Sequence, residues 1–89
     1  MRVLVVEDDL TLAAGLVEAL EREGFRVDHL GAAEPAEGAF GLTAYDLAIV
    51  DIGLPGMDGL ELIRRVRRRG TLTPILILTA RDALDDRVG

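Results

Sequence analysis

The hydrophobic residues of this 89-residue chain fall into short runs separated by longer mixed segments. Three runs are almost continuously apolar: RVLVV (Arg2–Val6), LAIV (47–50) and PILIL (74–78). Such runs are typical of strands buried on both faces, as in a parallel sheet. A fourth run, RVDHL (Arg26–Leu30), alternates polar and apolar residues and predicts an edge strand.

The segments between these runs have helical spacing. Leu12, Leu16 and Leu20 recur at every fourth position, which predicts an amphipathic helix with one buried face. Asp9 can cap the start of this helix and Gly24 can close its end. Similar patterns predict helices over 33–42 and 58–70, and the opening of another over 82–88.

Strands that alternate with helices predict βαβ units, with right-handed crossovers and a sheet covered on both faces. The sequence contains no repeat, linker or low-complexity tract. We therefore expect one α/β domain over residues 1–89, built on a parallel sheet.

Acidic side chains follow two of the predicted strands. Glu7 and Asp8 come after the first strand, Asp51 ends the third, and Thr79 and Ala80 follow the fourth. Ligands of open parallel sheets bind beyond the carboxyl ends of the strands. If the first and third strands are neighbours, three carboxylates crowd one rim, which is unfavourable unless a cation or a proton lies among them. Hard oxygen ligands favour Mg²⁺ or Ca²⁺. A carboxylate beside such a cation can attack phosphorus and form an aspartyl phosphate, to which Thr79 could donate a hydrogen bond.

The charged residues of the chain limit the kinds of partner that it can bind. Sixteen acidic and ten basic residues give a net charge of −6, and every basic residue is an arginine. An acidic chain repels nucleic acid, so we expect no direct nucleic-acid binding. The arginines within 64–69 are expected to oppose the dipole at a helix end and to pair with Glu61.

No window is long enough for a membrane span and the start does not fit a secretory signal, so we expect a cytoplasmic protein. His29 lacks a metal-spaced partner and is expected to be an ordinary surface residue.

Three segments resemble the receiver domains of two-component response regulators. They are VLVVEDD, VDIGLPGMDG and PILILTARDALDDRV, and the likeness covers essentially the whole chain. The last segment, with DGLELIRRVR, is most similar to receivers of transcription regulators that carry a winged-helix DNA-binding domain. The resemblance implies a flavodoxin-like, doubly wound parallel sheet of strand order 2-1-3-4. It also implies a domain that takes a phosphoryl group from the phosphohistidine of a sensor histidine kinase. Such a domain is not an enzyme beyond self-phosphotransfer and autodephosphorylation.

The resemblance gives each residue at the predicted rim a role. Asp51 would be the phosphoacceptor. Mg²⁺ would be bound directly by Asp8, by Asp51 and by the backbone carbonyl of Gly53, and Glu7 would reach the ion through a water molecule. These assignments are expectations carried over from the family.

The end of the chain departs from the family pattern. Thr79 resembles the switch hydroxyl that turns toward the phosphoryl group, and Ala80 resembles the small neighbour that leaves room for it. Family members continue into a fifth strand with a catalytic lysine, and then into a final helix. This sequence has no lysine and stops at Gly89. We therefore expect a receiver without its fifth strand, last helix and effector domain. Its exposed fourth-strand edge predicts self-association or low stability. We also expect Mg²⁺ to bind while phosphorylation is slow.

Two alternatives stay open. A degenerate receiver would act only as an interaction module. A haloacid-dehalogenase-type phosphatase also uses an aspartate after its first strand together with Mg²⁺, and EDDLT (7–11) is close to its Asp-x-Asp-x-Thr signature. The nucleophile of that phosphatase would have to be Glu7. Metal-dependent modification of Asp51, turnover that requires Glu7, or no response at all would distinguish the three.

Overall fold

A computed structural model describes residues 1–78, in which four strands alternate with three helices. In chain order they are β1 (Arg2–Val6), α1 (Leu10–Arg22), β2 (Arg26–Leu30), α2 (Ala33–Leu42), β3 (Leu47–Asp51), α3 (Gly59–Arg68) and β4 (Ile75–Leu78). Within residues 1–78 the predicted elements are present, with small shifts at their ends. β3 ends on Asp51 as predicted, whereas β4 begins only after Pro74, which has no N–H to donate to a ladder. The helix predicted over 82–88 lies outside the described residues.

The four strands form one parallel sheet in the order β2-β1-β3-β4, as predicted. Val6 at the end of β1 lies opposite Leu30 on β2 and Val50 on β3. Asp51 in turn lies opposite Leu78 on β4. The carboxyl ends of all four strands therefore meet at one edge of the sheet, where the acidic side chains emerge.

Helices cover both faces of this sheet. On one face, Leu16 and Leu20 of α1 pack against a small core. On the other face, α2 and α3 cover a larger core that includes Phe40 and Leu62. β1 is completely buried from Val3 to Val6, which explains its unbroken apolar run. Within residues 1–78, every helix is too short or too polar to cross a bilayer.

The helix ends follow the predicted capping chemistry. Asp9 accepts hydrogen bonds from two backbone N–H groups at the start of α1, and Asp58 accepts one from the Glu61 N–H at the start of α3. Gly24 and Gly70, just beyond α1 and α3, have φ angles of 93° and 91°, which favour glycine. These caps fix where α1 and α3 begin relative to the ends of β1 and β3.

A polar network closes the opposite edge of the sheet. The Arg2 guanidinium and the Tyr45 hydroxyl both donate to Asp28 Oδ2, with the Tyr45 bond at 2.7 Å. The Tyr45 hydrogen bond and then Arg2 lower the pKa of Asp28 despite its desolvation. Burial first, and then the Asp28 hydrogen bond, raise the pKa of Tyr45. This network ties β1, β2 and the segment before β3 together, away from the acidic edge.

Candidate functional site

The acidic rim is built by the register of β1 and β3. Because Val6 lies opposite Val50, the residues that follow them, Glu7 and Asp51, emerge side by side. Asp8 comes one residue later, where the chain leaves β1 for α1. β1 and β3 are therefore neighbours, as the predicted carboxylate cluster requires.

Three carboxylates come together at this rim. One carboxylate oxygen from each of Glu7, Asp8 and Asp51 lies within 4.8 Å of the other two. Glu7 is only 2% exposed, Asp51 is half-buried and Asp8 is exposed. The cluster thus runs from the core to the solvent, which gives an ion or a phosphoryl group access from one side.

The surroundings of Glu7 in the cluster disfavour the ionised form of its side chain. The pKa of Glu7 is raised to about 6, chiefly by burial and in smaller part by the charge of Asp51, while the backbone N–H of Asp9 opposes the rise. Asp9 N donates to Glu7 Oε2 at 3.0 Å, which holds the carboxyl group in place. A cation among these groups would offset the repulsion between Glu7 and Asp51.

The donor set of the rim fits a small divalent cation. Carboxylate oxygens are the hard ligands that Mg²⁺ prefers, and Mg²⁺ normally keeps several waters, for which the exposed side of Asp8 leaves space. The residues present can therefore hold a metal ion at this position.

The β3–α3 turn orients Asp51. The Gly53 N–H donates to Asp51 Oδ1 at 2.9 Å, which fixes the direction of the carboxylate. Further along the turn, Leu54 is buried and Gly56 has a φ of 74°, so the chain bends sharply back toward the sheet. Gly59 then opens α3 directly against the backbone of Asp51. The Gly53 carbonyl stays a predicted ligand, and the switch positions Thr79 and Ala80 lie outside the described residues.

The expectation for His29 was wrong. Its side chain is half-buried, and its Nε2 lies 2.8 Å from the backbone carbonyl oxygen of Glu7. His29 therefore contacts the acidic loop from the edge strand β2. The only signal in the sequence is its place one residue before the end of that strand, and this has meaning only once the β1–β2 register is known.

The arginine cluster lies at the far end of α3 from Asp51. As expected, Glu61 forms ion pairs with Arg64 and Arg65 at 3.0 and 3.1 Å. Glu37 on α2, which the sequence did not point to, pairs with Arg65 and Arg69 at 3.5 and 2.9 Å. These arginines join α2 to α3 and are not part of the acidic site.

Comparison with known proteins finds a matching family and similar regulatory proteins. The family described as "Response regulator receiver domain" matches residues 3–89. The transcriptional regulatory protein PmrA of Pectobacterium parmentieri is 49% identical over 88 residues. QseB of Escherichia coli O157:H7, also a transcriptional regulatory protein, is 43% identical over 88 residues. Both alignments cover 99% of this chain, which spans about 40% of the length of each relative.

Solved structures share the fold. The Francisella response regulator 1452 receiver domain superposes with a TM-score of 0.86 at 26% identity, over 98% of this chain and 72% of that one. A chain from the crystal structure of histidine kinase ThkA in complex with response regulator protein TrrA gives a TM-score of 0.82 at 38% identity. That match covers 89% of this chain and 68% of the other. The fold, the strand order and the family match over residues 3–89 together show that this chain belongs to the response regulator receiver domain family.

Proposed function

We propose that this domain accepts a phosphoryl group on Asp51 from the phosphohistidine of a sensor histidine kinase, with Mg²⁺ bound at the acidic rim. The observation that carries the proposal is the convergence of Glu7, Asp8 and Asp51 within 4.8 Å at the carboxyl ends of two adjacent strands. Such a cluster suits a cation and an anionic group that share one site.

The transfer is a substitution at phosphorus. A carboxylate oxygen of Asp51 attacks, the new O–P bond forms, and the P–N bond to the kinase histidine breaks with its electron pair returning to the imidazole nitrogen. The Gly53 N–H holds the Asp51 carboxylate in one orientation, which limits the reorganisation required for attack. Later hydrolysis breaks the acyl phosphate, so that water supplies the oxygen of the released phosphate and Asp51 regains its carboxylate.

The metal ligands in this proposal are Asp8, Asp51 and the carbonyl of Gly53, with Glu7 acting through a water. Mg²⁺, when bound, offsets the negative charge of the carboxylates and of the phosphoryl oxygens. The burial of Glu7 supports the indirect role, because its carboxylate is less open to an ion from the solvent side than the exposed carboxylate of Asp8. Thr79 and Ala80 take the switch roles that the resemblance implies.

Similar proteins support a proposal for the partner and the output. The similar curated proteins include transcriptional regulatory proteins, and one structural neighbour comes from a kinase–regulator complex. We propose a cytoplasmic location for this domain, a sensor histidine kinase as its partner and, for a longer protein of which this domain is part, control of transcription through a DNA-binding effector domain. The net charge of −6 disfavours DNA binding by the receiver itself.

Two other functions give different experimental signatures. The phosphatase would need Glu7 as its nucleophile, but Glu7 is buried, so a substrate phosphorus cannot easily reach its carboxylate. Membership of the receiver family also argues against it. A module that acts only through protein contacts would show no chemistry at Asp51.

Phosphorylation with a small donor tests the proposal. The chain is incubated with acetyl phosphate and Mg²⁺, and intact-mass measurement reports the added phosphoryl group. We expect modification that EDTA prevents, that Asp51→Asn abolishes, and that hydroxylamine removes. Asp46→Asn is the matched control, since Asp46 immediately precedes the other end of β3 and accepts a hydrogen bond from Arg2 N that asparagine can also accept. Modification that persists in Asp51→Asn, or none in the parent chain, would refute the proposal.

Self-association forms a second part of the proposal. β4 is the last strand of the sheet within residues 1–78, and Leu76 and Ile77 on its two faces are 57% and 46% exposed. An apolar edge strand is a template for pairing with another strand. We propose that copies of this chain associate through β4, so the sedimentation coefficient should rise with protein concentration. A single monomeric species at all concentrations would exclude this.

A further inference from the structure

The peptide unit between Glu7 and Asp8 is held from the side by His29. Glu7 is buried, so its backbone carbonyl requires a hydrogen-bond donor. His29 Nε2 lies 2.8 Å from that carbonyl oxygen, and because a carbonyl can only accept, the ring nitrogen must donate. Among the hydrogen bonds of residues 1–78, this is the one that reaches the Glu7 carbonyl.

This contact acts on the part of the backbone that sets the direction of the metal ligands. The Glu7 carbonyl and the Asp8 N–H belong to one rigid, planar peptide unit. Fixing the carbonyl therefore fixes ψ of Glu7 and φ of Asp8, and with them the angle between the two acidic side chains. Each of these two side chains places a carboxylate oxygen within 4.8 Å of one from Asp51.

The other restraints on the loop lie on either side of this peptide unit. Before it, Glu7 N donates to the Leu30 carbonyl at 3.0 Å and continues the β1–β2 ladder. After it, Asp9 N donates to the Glu7 carboxylate, and Asp9 caps α1. Without His29, the intervening peptide could rotate while both flanking restraints stayed in place.

We infer that His29 is a positioning residue for the acidic site, which orients Asp8 relative to Glu7 through the Glu7 carbonyl. The inference rests on the proposed function, since it concerns the geometry of the metal ligands. His29 is not itself a ligand, because the Nε2 that faces the loop already donates to the carbonyl. The residue that sets the geometry of the site thus comes from β2, which contributes no carboxylate to the cluster.

The test measures binding of Mn²⁺, a paramagnetic substitute for Mg²⁺, to the full 89-residue chain. His29→Leu removes the donor and should weaken Mn²⁺ binding about tenfold, the usual effect of losing a group that orients a metal ligand. His29→Gln places an amide N–H at a similar distance from the backbone and should restore an affinity close to that of the parent chain. Val27→Ala is the matched control. Val27 lies on the same strand and the same face and packs in the α1 core, so its truncation lowers stability without touching Glu7.

A second measurement reports the geometry without metal. In the apo chain, the Asp8 amide resonance should shift in His29→Leu, return toward its original position in His29→Gln, and stay in place in Val27→Ala. Equal Mn²⁺ affinity for His29→Leu and the parent, with the folded fraction checked by melting, overturns the inference and leaves the proposed function standing. If the parent chain binds no Mn²⁺, or binds it equally well after Asp8→Asn, the metal site itself is wrong, and the inference is refuted along with it.

Discussion

Gly59 begins α3 directly against the end of β3, and its missing side chain permits this close approach. A Cβ atom at this position would lie 2.4 Å from the carbonyl oxygen of Asp51, 2.8 Å from Ile52 Cα and 2.9 Å from Val50 Cγ1. Two of these three atoms belong to the backbone, so they cannot rotate away as the end of a long side chain would. Gly59→Ala should therefore push the start of α3 away from the strand that carries Asp51.

The size of the effect follows from two opposing contributions. Adding a methyl group to a tightly packed position costs about 1–3 kcal/mol, whereas alanine gains up to about 1 kcal/mol over glycine in a helix. We expect Gly59→Ala to lower the free energy of unfolding by about 1–2 kcal/mol. Each kcal/mol corresponds to a melting temperature lower by about 4–8 °C in a domain of this size.

Gly15→Ala is the matched control for this experiment. Gly15 lies within α1, and a Cβ atom there would meet nothing within 4 Å. The same substitution should therefore stabilise the chain by about 0.5–1 kcal/mol. Urea unfolding followed by circular dichroism gives both values. If Gly59→Ala proves as stable as the parent while Gly15→Ala behaves as expected, the close approach of α3 to Asp51 is wrong.

Three further changes test other parts of the structure. Asp58→Ala removes the cap of α3 and should lower the free energy of unfolding by about 1 kcal/mol in the same urea titrations. Tyr45→Phe removes the hydrogen bond that lowers the pKa of Asp28 below 3.8. The substitution should have its full destabilising effect above pH 3.8, where Asp28 is ionised in the folded and the unfolded chain. The effect should shrink as the pH falls through the lower pKa of Asp28 in the folded chain. An equal loss of stability in acid and at neutral pH would contradict this account. Leu76→Glu should weaken the concentration dependence of sedimentation, whereas Leu42→Glu should not, although Leu42 at the end of α2 is the more exposed of the two, 90% against 57%.

The fold could be predicted from the sequence because its strands are buried on both faces. A parallel strand such as β1 must be apolar at every position, so its run stands out against helices with one apolar face. A capping residue then marked the start of α1, as Asp9 shows. The strand order 2-1-3-4 came from the family resemblance, since apolar runs alone do not say which strands are neighbours. Asp51 ends β3 as predicted, because it continues the ladder opposite Leu78 although it is charged.

Only some residues of the site could be predicted from the sequence. Glu7, Asp8 and Asp51 could be named because parallel strands present their ends at one edge. His29 could not, because its contact joins residues 22 positions apart and depends on the β1–β2 register. The tight packing of Gly59 was hidden for a similar reason, since only the path of the turn brings α3 back onto Asp51. Contacts of this kind are set by three-dimensional packing and leave no periodic pattern in the sequence.

The acidic cluster should oppose the folding of the metal-free chain, because the sheet holds like charges together. Two charges about 4 Å apart repel by about 1 kcal/mol even in water, and the charge of Asp51 adds to the effect of burial in raising the pKa of Glu7. Asp8→Asn keeps the size of this exposed side chain and removes its charge. It should therefore raise the free energy of unfolding by about 1 kcal/mol when divalent cations are absent. It should also abolish stabilisation by Mg²⁺, which for the parent chain should reach about 2.7 kcal/mol at one hundred times the dissociation constant. Thermal melts of both chains with and without Mg²⁺ measure the two effects. If Asp8→Asn is less stable than the parent in the absence of metal, the carboxylates are held together by favourable contacts, and charge repulsion does not dominate the site.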